Sequence, residues 1–401
     1  MVKRTPFHER LSELNTTGLF GHWSGFLSPL RYDTSAKHEY FGVRNSAGFF
    51  DSSPLYKHRI TGPDAERFLG GVMARDVRVC TPGRAQYTVW CDGEGYLLED
   101  GVLFRHAPDE FVLTCAEPNV GYLGDLATGH DVRIEDVSEQ FAVLAVQGPR
   151  SREILATLSP DVARLRFFGL TPTTIAGVPV TVSRTGFTGD LGYELMIPAD
   201  DALTVLDAVI AAGTPYGMRP FGEEALLMCR IEAGLVLIGV DFTSARYAYN
   251  DSERLTPIEL GLGWLLRTID DDSRPFIGRD ALRRELEDKT SRWNTVGLVL
   301  DWAAYDGLYR DAGLTPPKDE TPLPWESMLY DDAGERIGYA PSMMYSPVLQ
   351  RHVAIALVKP EHAALGGTVH VEQTIQHEYT SCPATVTTLP LFNPARKTAN
   401  I

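Results

Sequence analysis

Two adjacent carboxylates, Glu99 and Asp100, are the residues of this chain best placed for acid–base chemistry. They interrupt an apolar run, 96–104, which follows an alternating run, 85–91, and a turn that reads D-G-E-G. An Asp-Gly turn between such runs predicts a β-hairpin. Side chains alternate along a strand, so the two carboxylates lie on opposite faces and one of them points inward. An inward carboxylate needs a structural partner or has a chemical role, and composition alone favours the structural partner.

The bulk composition excludes several classes of protein. The 401 residues, 44% hydrophobic and 22% charged, are typical of a soluble protein with two or three domains. The net charge of −16 argues against binding to nucleic acid or to anionic membranes, although a local basic pocket could still bind an anionic cofactor tail. No apolar run could span a bilayer and the N-terminus has no apolar region, so we expect a cytoplasmic protein. The five cysteines and ten histidines are dispersed, which predicts reduced thiols and no metal site.

Three further runs carry a family resemblance. The most specific is 182–194, V-S-R-T-G-F-T-G-D-L-G-Y-E, whose glycines permit positive φ and a close approach of the backbone to a flat ligand. It lies between Q-G-P-R at 147–150 and R-I-E-A-G at 230–234. Together with the hairpin segment 82–104, and in this order, these runs resemble the glycine-cleavage T-protein (aminomethyltransferase) family.

The resemblance covers essentially the whole chain and implies its architecture. The implied fold is α+β, with three domains around a central folate-binding channel. A discontinuous α+β folate-binding domain comprises 1–50 and 141–280, a second α+β domain with the hairpin comprises 51–140, and a β-barrel or jelly-roll domain comprises 281–401. The short, evenly spaced strands after residue 295 also predict a compact barrel.

A Pro- and Asp-rich segment, 302–325, is absent from typical members of the family. A long loop of this kind is either a functional lid or partly disordered. Its aromatic residues favour the ordered alternative.

The resemblance also implies roles for single residues. Asp100 falls on the catalytic aspartate that lies beside the folate. Glu194 would accept hydrogen bonds from the pterin amino group and ring N–H, and Tyr87 would help to hold the pterin. The other implied cofactor-binding residues are Phe187, which replaces a tyrosine, Leu55, Glu110 and Trp264. For Glu110 the alternative of an exposed glutamate in a turn stays open.

Several positions depart from the family pattern. The family's histidine and methionine near the pterin are Pro54 and Leu55 here, and an asparagine that contacts the cofactor falls on Ala116. Where the family reads G-A-R-D, this chain has the aliphatic stretch 225–227. An aliphatic side chain cannot replace an arginine. A register slip that gives its role to Arg230 is the less favoured alternative, because R-I-E-A-G fixes the register.

These departures bear on the donor of the transferred carbon. The resemblance implies a one-carbon transferase that uses tetrahydrofolate. The altered site favours a demethylase-like enzyme that takes a methyl or aminomethyl group from a small methylated molecule. A glycine-cleavage aminomethyltransferase that works with a lipoyl carrier protein is the first alternative. A folate-binding protein without catalysis is the second.

Overall fold

Helices and strands are interleaved through most of the chain, and short strands dominate its C-terminal part. The structure is a computed structural model that describes residues 2–317 and 321–399. Its α-helices are α1 His8–Leu14, α2 Ala36–Asn45, α3 Ala65–Val72, α4 Val120–Leu126, α5 Ser151–Leu158, α6 Ala202–Gly213, α7 Glu223–Glu232, α8 Arg279–Asp288 and α9 Trp302–Asp311. Its first strands are β1 Phe20–Trp23, β2 Phe26–Pro29, β3 Gly48–Asp51, β4 Tyr56–Thr61, β5 Arg84–Cys91, β6 Leu97–Ala107, β7 Glu110–Cys115, β8 Arg133–Asp136 and β9 Phe141–Gln147. The remaining strands are β10 Leu170–Ile175, β11 Val178–Ser183, β12 Gly192–Pro198, β13 Arg219–Pro220, β14 Asn294–Leu300, β15 Ser327–Tyr330, β16 Arg336–Ser346, β17 Arg351–Val358, β18 Thr368–Ile375 and β19 Glu378–Thr387.

The predicted hairpin is formed by β5 and β6, which pair antiparallel. The carboxylate of Asp92 accepts hydrogen bonds from the backbone N–H groups of Glu94, at 3.0 Å, and Tyr96, at 2.9 Å. Gly95 has a φ of 86°, a conformation that costs glycine little. The turn sequence therefore closes the hairpin as predicted, and the prediction of a hairpin is confirmed.

The hairpin belongs to a sheet in the order β5-β6-β7-β4-β8. One face of this sheet packs against α3 through an apolar cluster that contains Trp90, Phe68 and Leu69. On the other face, Phe104 and Val112 pack with Met196 of β12. The sheet is therefore covered on both faces, and the second face looks toward the strands that follow the Q-G-P-R run.

A second sheet has the order β10-β11-β12-β9-β3-β13. It joins β3, from the N-terminal part of the chain, to strands of 141–220. One face buries a large apolar cluster with α6, to which Leu144, Leu195 and Val205 contribute. Because β3 and β9 are neighbours, the first 50 residues are tied to the middle of the chain.

The C-terminal strands form a closed barrel in the order β14-β17-β16-β15-β18-β19. The predicted C-terminal barrel is therefore confirmed. The segment 302–325 differs from the predicted loop, because its first part is the helix α9. The side chain of Asp301 caps this helix by accepting a hydrogen bond from the Ala304 N–H, and Tyr305 is buried in the barrel core. Residues 318–320 of the segment lie outside the described residues.

The division into domains follows from which strands share a sheet. We propose the domains 1–50 with 141–280, 51–140 and 281–401 on this basis. Among the described residues, no helix combines the length and the apolar character needed to cross a membrane.

Candidate active site

Asp100 lies on the face of its sheet that looks toward the second sheet. The strand register pairs it with Val89, and the neighbouring Tyr87 donates its hydroxyl hydrogen to Asp100 Oδ2 over 2.9 Å. Both side chains are half-buried. Asp100 is therefore an accessible carboxyl group with a single side-chain hydrogen bond among the described residues.

Glu99 points to the opposite face and is fully buried. Its Oε1 accepts hydrogen bonds from the N–H groups of Ala116, at 2.7 Å, and Glu117, at 3.0 Å, and its Oε2 accepts one from Asn119 Nδ2 at 2.6 Å. These contacts satisfy the carboxylate, so Glu99 is the acid with the structural partner. Asp100, whose environment is less complete, is the acid left for chemistry.

Burial controls the protonation of both acids. It raises the pKa of Glu99 to about 8 and that of Asp100 to about 6. For Asp100, the hydrogen bond from Tyr87 lowers the pKa again, and the nearby charge of Asp241 raises it. A carboxyl group that titrates near pH 6 can both hold and release a proton close to neutral pH.

Replacing Tyr87 by phenylalanine should move the titration of Asp100. In the wild type, the hydrogen bond from Tyr87 stabilises the charged carboxylate of Asp100. Without it, we expect the Asp100 pKa to lie above about 6 and the acidic limb of the pH–rate profile to shift to higher pH. Activity near neutral pH should fall by about 2- to 10-fold, the worth of one ordinary hydrogen bond. Initial rates measured across the pH range check this. A profile that keeps its inflection would contradict the proposed coupling of the two residues.

Glu194 lies across from the hairpin, on β12. It is half-buried, and Thr185 donates a hydrogen bond to its Oε2. Thr185 is held in turn by Ser183, with 2.7 Å between the two hydroxyl oxygens. Burial raises the pKa of Glu194, while the bond from Thr185 lowers it. The two hydroxyl groups of the V-S-R-T-G run thus orient this carboxylate.

The glycines of the same run match the prediction in part: Gly189 has the predicted positive φ, 72°, but the space beside the glycines is filled by the protein itself. A Cβ on Gly186 or Gly192 would lie 2.1 Å from Gln147 Oε1, and a Cβ on Gly189 would lie 2.2 Å from the Cβ of Ala233. The interpretation that they admit a flat ligand is therefore wrong for these three positions, because each one admits a protein side chain.

Gln147, the first residue of the Q-G-P-R run, ties the loop together. Its Nε2 donates to the carbonyl oxygens of Thr185 and Tyr193, each over 3.2 Å, and its Oε1 accepts a hydrogen bond from Thr188 at 2.9 Å. Both ends of the loop before Glu194 are fixed by this one amide. The Q-G-P-R run and the V-S-R-T-G run are therefore one structural unit, which positions Glu194.

A narrow cavity separates the two sheets at Glu194. It includes the predicted residue Leu55 and also His106, which the sequence interpretation missed. His106 lies on the same strand face as Asp100, six residues further along β6, and its Nε2 is buried with no hydrogen-bond partner among the described residues. The alternation 100, 102, 104, 106 along β6 is the signal that could have found it, although the pairing with β7 shifts its register between Arg105 and Ala107. The complete lining is Leu55, Phe104, His106, Thr114, Val143, Thr181, Ser183, Glu194 and Met196.

The remaining predicted cofactor-binding residues are not part of this cavity lining. Trp264 stacks on Tyr87, with ring centroids 6.4 Å apart. Phe187 is half-buried in the loop between β11 and β12. Glu110 lies at the far end of the sheet from Asp100, where its carboxylate is 3.7 Å from the Arg59 guanidinium. The roles of all three in cofactor binding stay predictions.

The cavity has the chemistry that a pterin requires. A flat heterocycle with several N–H donors needs apolar walls and an acceptor that is already oriented. Leu55, Phe104 and Met196 supply such walls, and Glu194 supplies the acceptor. The unpartnered nitrogen of His106 adds a further polar contact. The side chains present are thus of the types that contact a pterin, with Glu194 and His106 as the groups that would hold its ring, while the cavity itself, at about 20 Å³, has room for about one water and would have to widen to admit the ring.

The contacts of Arg230 show whether it is free to take the role of the arginine in the family's G-A-R-D pattern. The helix α7 carries both the aliphatic stretch 225–227 and Arg230. Arg230 is buried, its Nη1 donates to Asp241 Oδ2 at 2.5 Å, and its Nη2 donates to Ser342 at 2.8 Å. These contacts give Arg230 a structural role. Leu226, within the aliphatic stretch 225–227, packs beside an apolar cluster.

Comparisons with known proteins define the fold first and then the family. A structure of the glycine cleavage system aminomethyltransferase T from Bartonella henselae matches this one with a TM-score of 0.82, covering 98% of this chain and 99% of that chain at 24% identity. The implied T-protein-like fold is therefore confirmed. The GCVT N-terminal domain model matches residues 7–269, and the glycine cleavage T-protein C-terminal barrel domain model matches residues 310–393. The chain thus belongs to the glycine-cleavage T-protein family of transferases.

Full-length relatives agree with this assignment. The aminomethyltransferase of Geobacillus kaustophilus is 32% identical over 93% of this chain and 94% of its own length, and that of Bacillus subtilis is 31% identical over 93% and 95%. The trimethylamine-oxide aldolase of Ruegeria pomeroyi is 33% identical over 99% of this chain, but the match covers only 48% of that protein.

Proposed function

We propose that this protein is a cytoplasmic, tetrahydrofolate-dependent transferase that moves a methyl or aminomethyl group from a small methylated donor to the folate. The observation that carries the proposal is the pair of carboxylates on facing sheets. Asp100 lies with Tyr87 on one sheet, and Glu194 is oriented by Thr185 on the other. A ligand held by Glu194 between the sheets would have its reacting edge near the hairpin.

The chain's own residues would do three things in this reaction. Glu194 would bind the donors of the pterin edge, and the apolar wall that includes Leu55 would exclude water from the ring. Asp100 would take up or return a proton at its carboxylate oxygen, with Tyr87 fixing that oxygen. Tetrahydrofolate, when bound, supplies the nitrogen that accepts the carbon. Alignment of two bound reactants can lower the barrier by up to about 7–11 kcal/mol, so positioning would be the main contribution of the protein.

The preference for a small free donor rests on α7. By the resemblance, the aliphatic stretch 225–227 falls where T-proteins that accept a lipoyl-bound group have an arginine, and Arg230 is already bound to Asp241 and Ser342. The match to a trimethylamine-oxide aldolase along 99% of this chain supports a methylated donor as well. The demethylase-like activity is therefore the first candidate.

A glycine-cleavage activity is the second candidate. The full-length relatives named aminomethyltransferase support it, since two of them match 93% of this chain at 31 and 32% identity. In that case the donor would be an aminomethyl group on a lipoyl carrier protein, which would dock on this chain.

Identification of the folate product separates the two candidates. The protein and tetrahydrofolate would be incubated with one donor at a time: a methylated amine, a methyl ether, a sulfonium compound or an aminomethyl-loaded lipoyl carrier. The folates in each reaction would then be identified by mass spectrometry. We expect 5-methyltetrahydrofolate, or methylenetetrahydrofolate where the donor gives an aminomethyl group, from one small donor. Methylenetetrahydrofolate and ammonia from the carrier alone would establish the second candidate instead. No folate product from any donor would contradict both.

A further inference from the structure

An arginine–tryptophan pair lies at the outer end of the Asp100 site. Trp264 is 45% exposed, and the guanidinium carbon of Arg75 lies 5.4 Å from the centre of its ring. Trp264 stacks on Tyr87, whose hydroxyl group binds Asp100. A continuous line of contacts therefore leads from an exposed indole to the carboxyl group at the centre of the site.

The charge at this place has no counter-charge. Arg75 is half-buried, and Nη1 donates to the Tyr87 carbonyl oxygen at 3.0 Å. In the described part of the chain, its other N–H groups have no acceptor, and neither Arg75 nor the exposed Arg267 forms an ion pair. Arg267 caps the short helical turn Gly263–Leu266 that carries Trp264, which places a second positive charge on the same turn as the indole that Arg75 contacts. Burial lowers the pKa of Arg75, and the charge of Arg267 lowers it further. A guanidinium stays charged under such conditions.

Arg75 differs in this respect from arginines of the same region that have carboxylate partners: Arg78 binds Asp76 and Asp271, and Arg279 binds Asp272. The free donors of a partly buried guanidinium are open to water or to a ligand that supplies the acceptor. An arginine fork matches a carboxylate in geometry, and an adjacent indole face packs well on an aromatic or methylene group.

We propose that Arg75, Arg267 and Trp264 form a rim site that binds the carboxylate of a ligand whose reacting part lies at Asp100. The position of that reacting part rests on the proposed function; the carboxylate site itself rests on the contacts of Arg75 and Trp264. Two ligands could supply the carboxylate. One is the glutamate tail of tetrahydrofolate, and the other is a methylated donor that is itself an acid, such as an N- or S-methylated amino acid.

Binding measurements on three variants test the first source. The variants are Arg75→Gln, Arg267→Gln and the control Arg284→Gln, which removes the same charge from an exposed position on α8. The probes are tetrahydrofolate and 6-methyltetrahydropterin, which lacks the glutamate tail. If the tail binds at the rim site, Arg75→Gln should weaken tetrahydrofolate by about tenfold and Arg267→Gln by about threefold, since the first arginine is partly desolvated and the second is exposed. The pterin and the control variant should change by less than about twofold.

Kinetics test the second source. If the carboxylate of the donor binds at the rim site, Arg75→Gln leaves the dissociation constants of tetrahydrofolate and 6-methyltetrahydropterin unchanged. The same variant raises the KM of an acidic donor by about tenfold, while the KM of its carboxamide analogue stays the same. A dissociation constant for tetrahydrofolate and a KM for the acid that are both unchanged would overturn the rim site. So would an equal loss for tetrahydrofolate and the pterin, which would indicate a general disturbance through Tyr87.

The binding measurements also separate this proposal from the proposed function. They need no turnover, so selective loss of tetrahydrofolate binding in Arg75→Gln would support the rim site even if no donor transferred a carbon. A wild-type protein that bound neither tetrahydrofolate nor acidic donors would overturn both.

Discussion

Replacing Asp100 by asparagine should reduce turnover by about 10²- to 10⁴-fold, the usual contribution of a positioned acid or base. The amide has the same shape, and its oxygen can still accept the hydrogen bond from Tyr87, so the site keeps its geometry. The asparagine amide, however, cannot take up or release a proton near neutral pH. The dissociation constant of tetrahydrofolate should therefore change by no more than about threefold, because the ring would be held mainly by Glu194.

Steady-state kinetics and equilibrium binding on the same protein measure this. The matched variant is Glu194→Gln, which alters the other carboxylate of the site and should show the reverse pattern. We expect its tetrahydrofolate binding to weaken by about tenfold or more, because the charged acceptor is lost. The orienting bond from Thr185 would remain, so the geometry of the site should stay the same. An Asp100→Asn variant with wild-type turnover would remove Asp100 from the catalytic role.

The same substitution should make the fold more stable, which excludes unfolding as the cause of lost activity. Burial raises the folded-state pKa of Asp100 to about 6, above its value in the unfolded chain. Between these two pKa values the folded protein retains a proton that the unfolded chain releases, so the contribution of Asp100 to stability falls as the pH rises through about 6. At neutral pH the ionised carboxylate then costs about 1–2 kcal/mol, allowing for its partial exposure. Asp100→Asn should gain that amount in denaturant unfolding at pH 7, and little at acid pH.

The residue pattern was sufficient to predict the hairpin and the two acids on opposite faces, but the choice of Asp100 as the site acid came from the family resemblance and not from the alternation. Strand alternation separates Glu99 from Asp100 and says nothing about what covers each face. The sheet is covered on both faces here, by α3 on one and by β12 on the other. Only the long-range contacts of Glu99 with 116–119 decide that it is the structural acid.

Other errors have the same origin in long-range packing. The glycines of the V-S-R-T-G run could be interpreted as ligand contacts because nothing in the run indicates that Gln147 and Ala233 would fill the space beside them. His106 was missed because the alternation along β6 places it on the face of Asp100 without showing that a second sheet and a cavity lie opposite. The helix α9 was expected as a loop, although Asp301 is a suitable N-cap and Tyr305 is spaced to reach the barrel core. Local patterns thus predicted strands and turns, while the partners of buried side chains needed the fold.

The R-I-E-A-G run illustrates what such partners contribute to stability. Glu232, in this run, is fully buried, and its carboxylate contacts three residues from two other parts of the chain. Its Oε2 accepts hydrogen bonds from Arg44 Nη2 at 2.7 Å and Nε at 3.0 Å, and its Oε1 accepts bonds from Tyr40 and from Ser346, the latter at 2.6 Å. Ser346 belongs to the barrel strand β16 and Arg44 to α2. One carboxylate therefore joins the N-terminal part, the central helix α7 and the barrel.

Replacing Glu232 by glutamine should accordingly lower the free energy of unfolding by about 3–5 kcal/mol, since it leaves the buried Arg44 without its main counter-charge. Asp190, with an oxygen 3.8 Å from Arg44 Nη1, already binds Arg396 and can offset only part of the loss. The midpoint of thermal unfolding should fall by about 4–6 °C for a chain of this size. Calorimetry and denaturant titration measure both quantities.

The control for this variant is Glu361→Gln, at an exposed acid that forms no ion pair in the described part of the chain, and its stability should stay within about 0.5 kcal/mol of the wild type. A double variant, Arg44→Met with Glu232→Leu, removes both charges at once. Because most of the cost comes from an uncompensated buried charge, the double variant should lose clearly less than the sum of its two single variants. Additive losses would instead mean that Arg44 and Glu232 stabilise the protein independently, through their packing and their separate contacts with Thr188, Tyr40 and Ser346. A small loss in Glu232→Gln alone would show that the junction between α7 and the barrel is held by its apolar contacts.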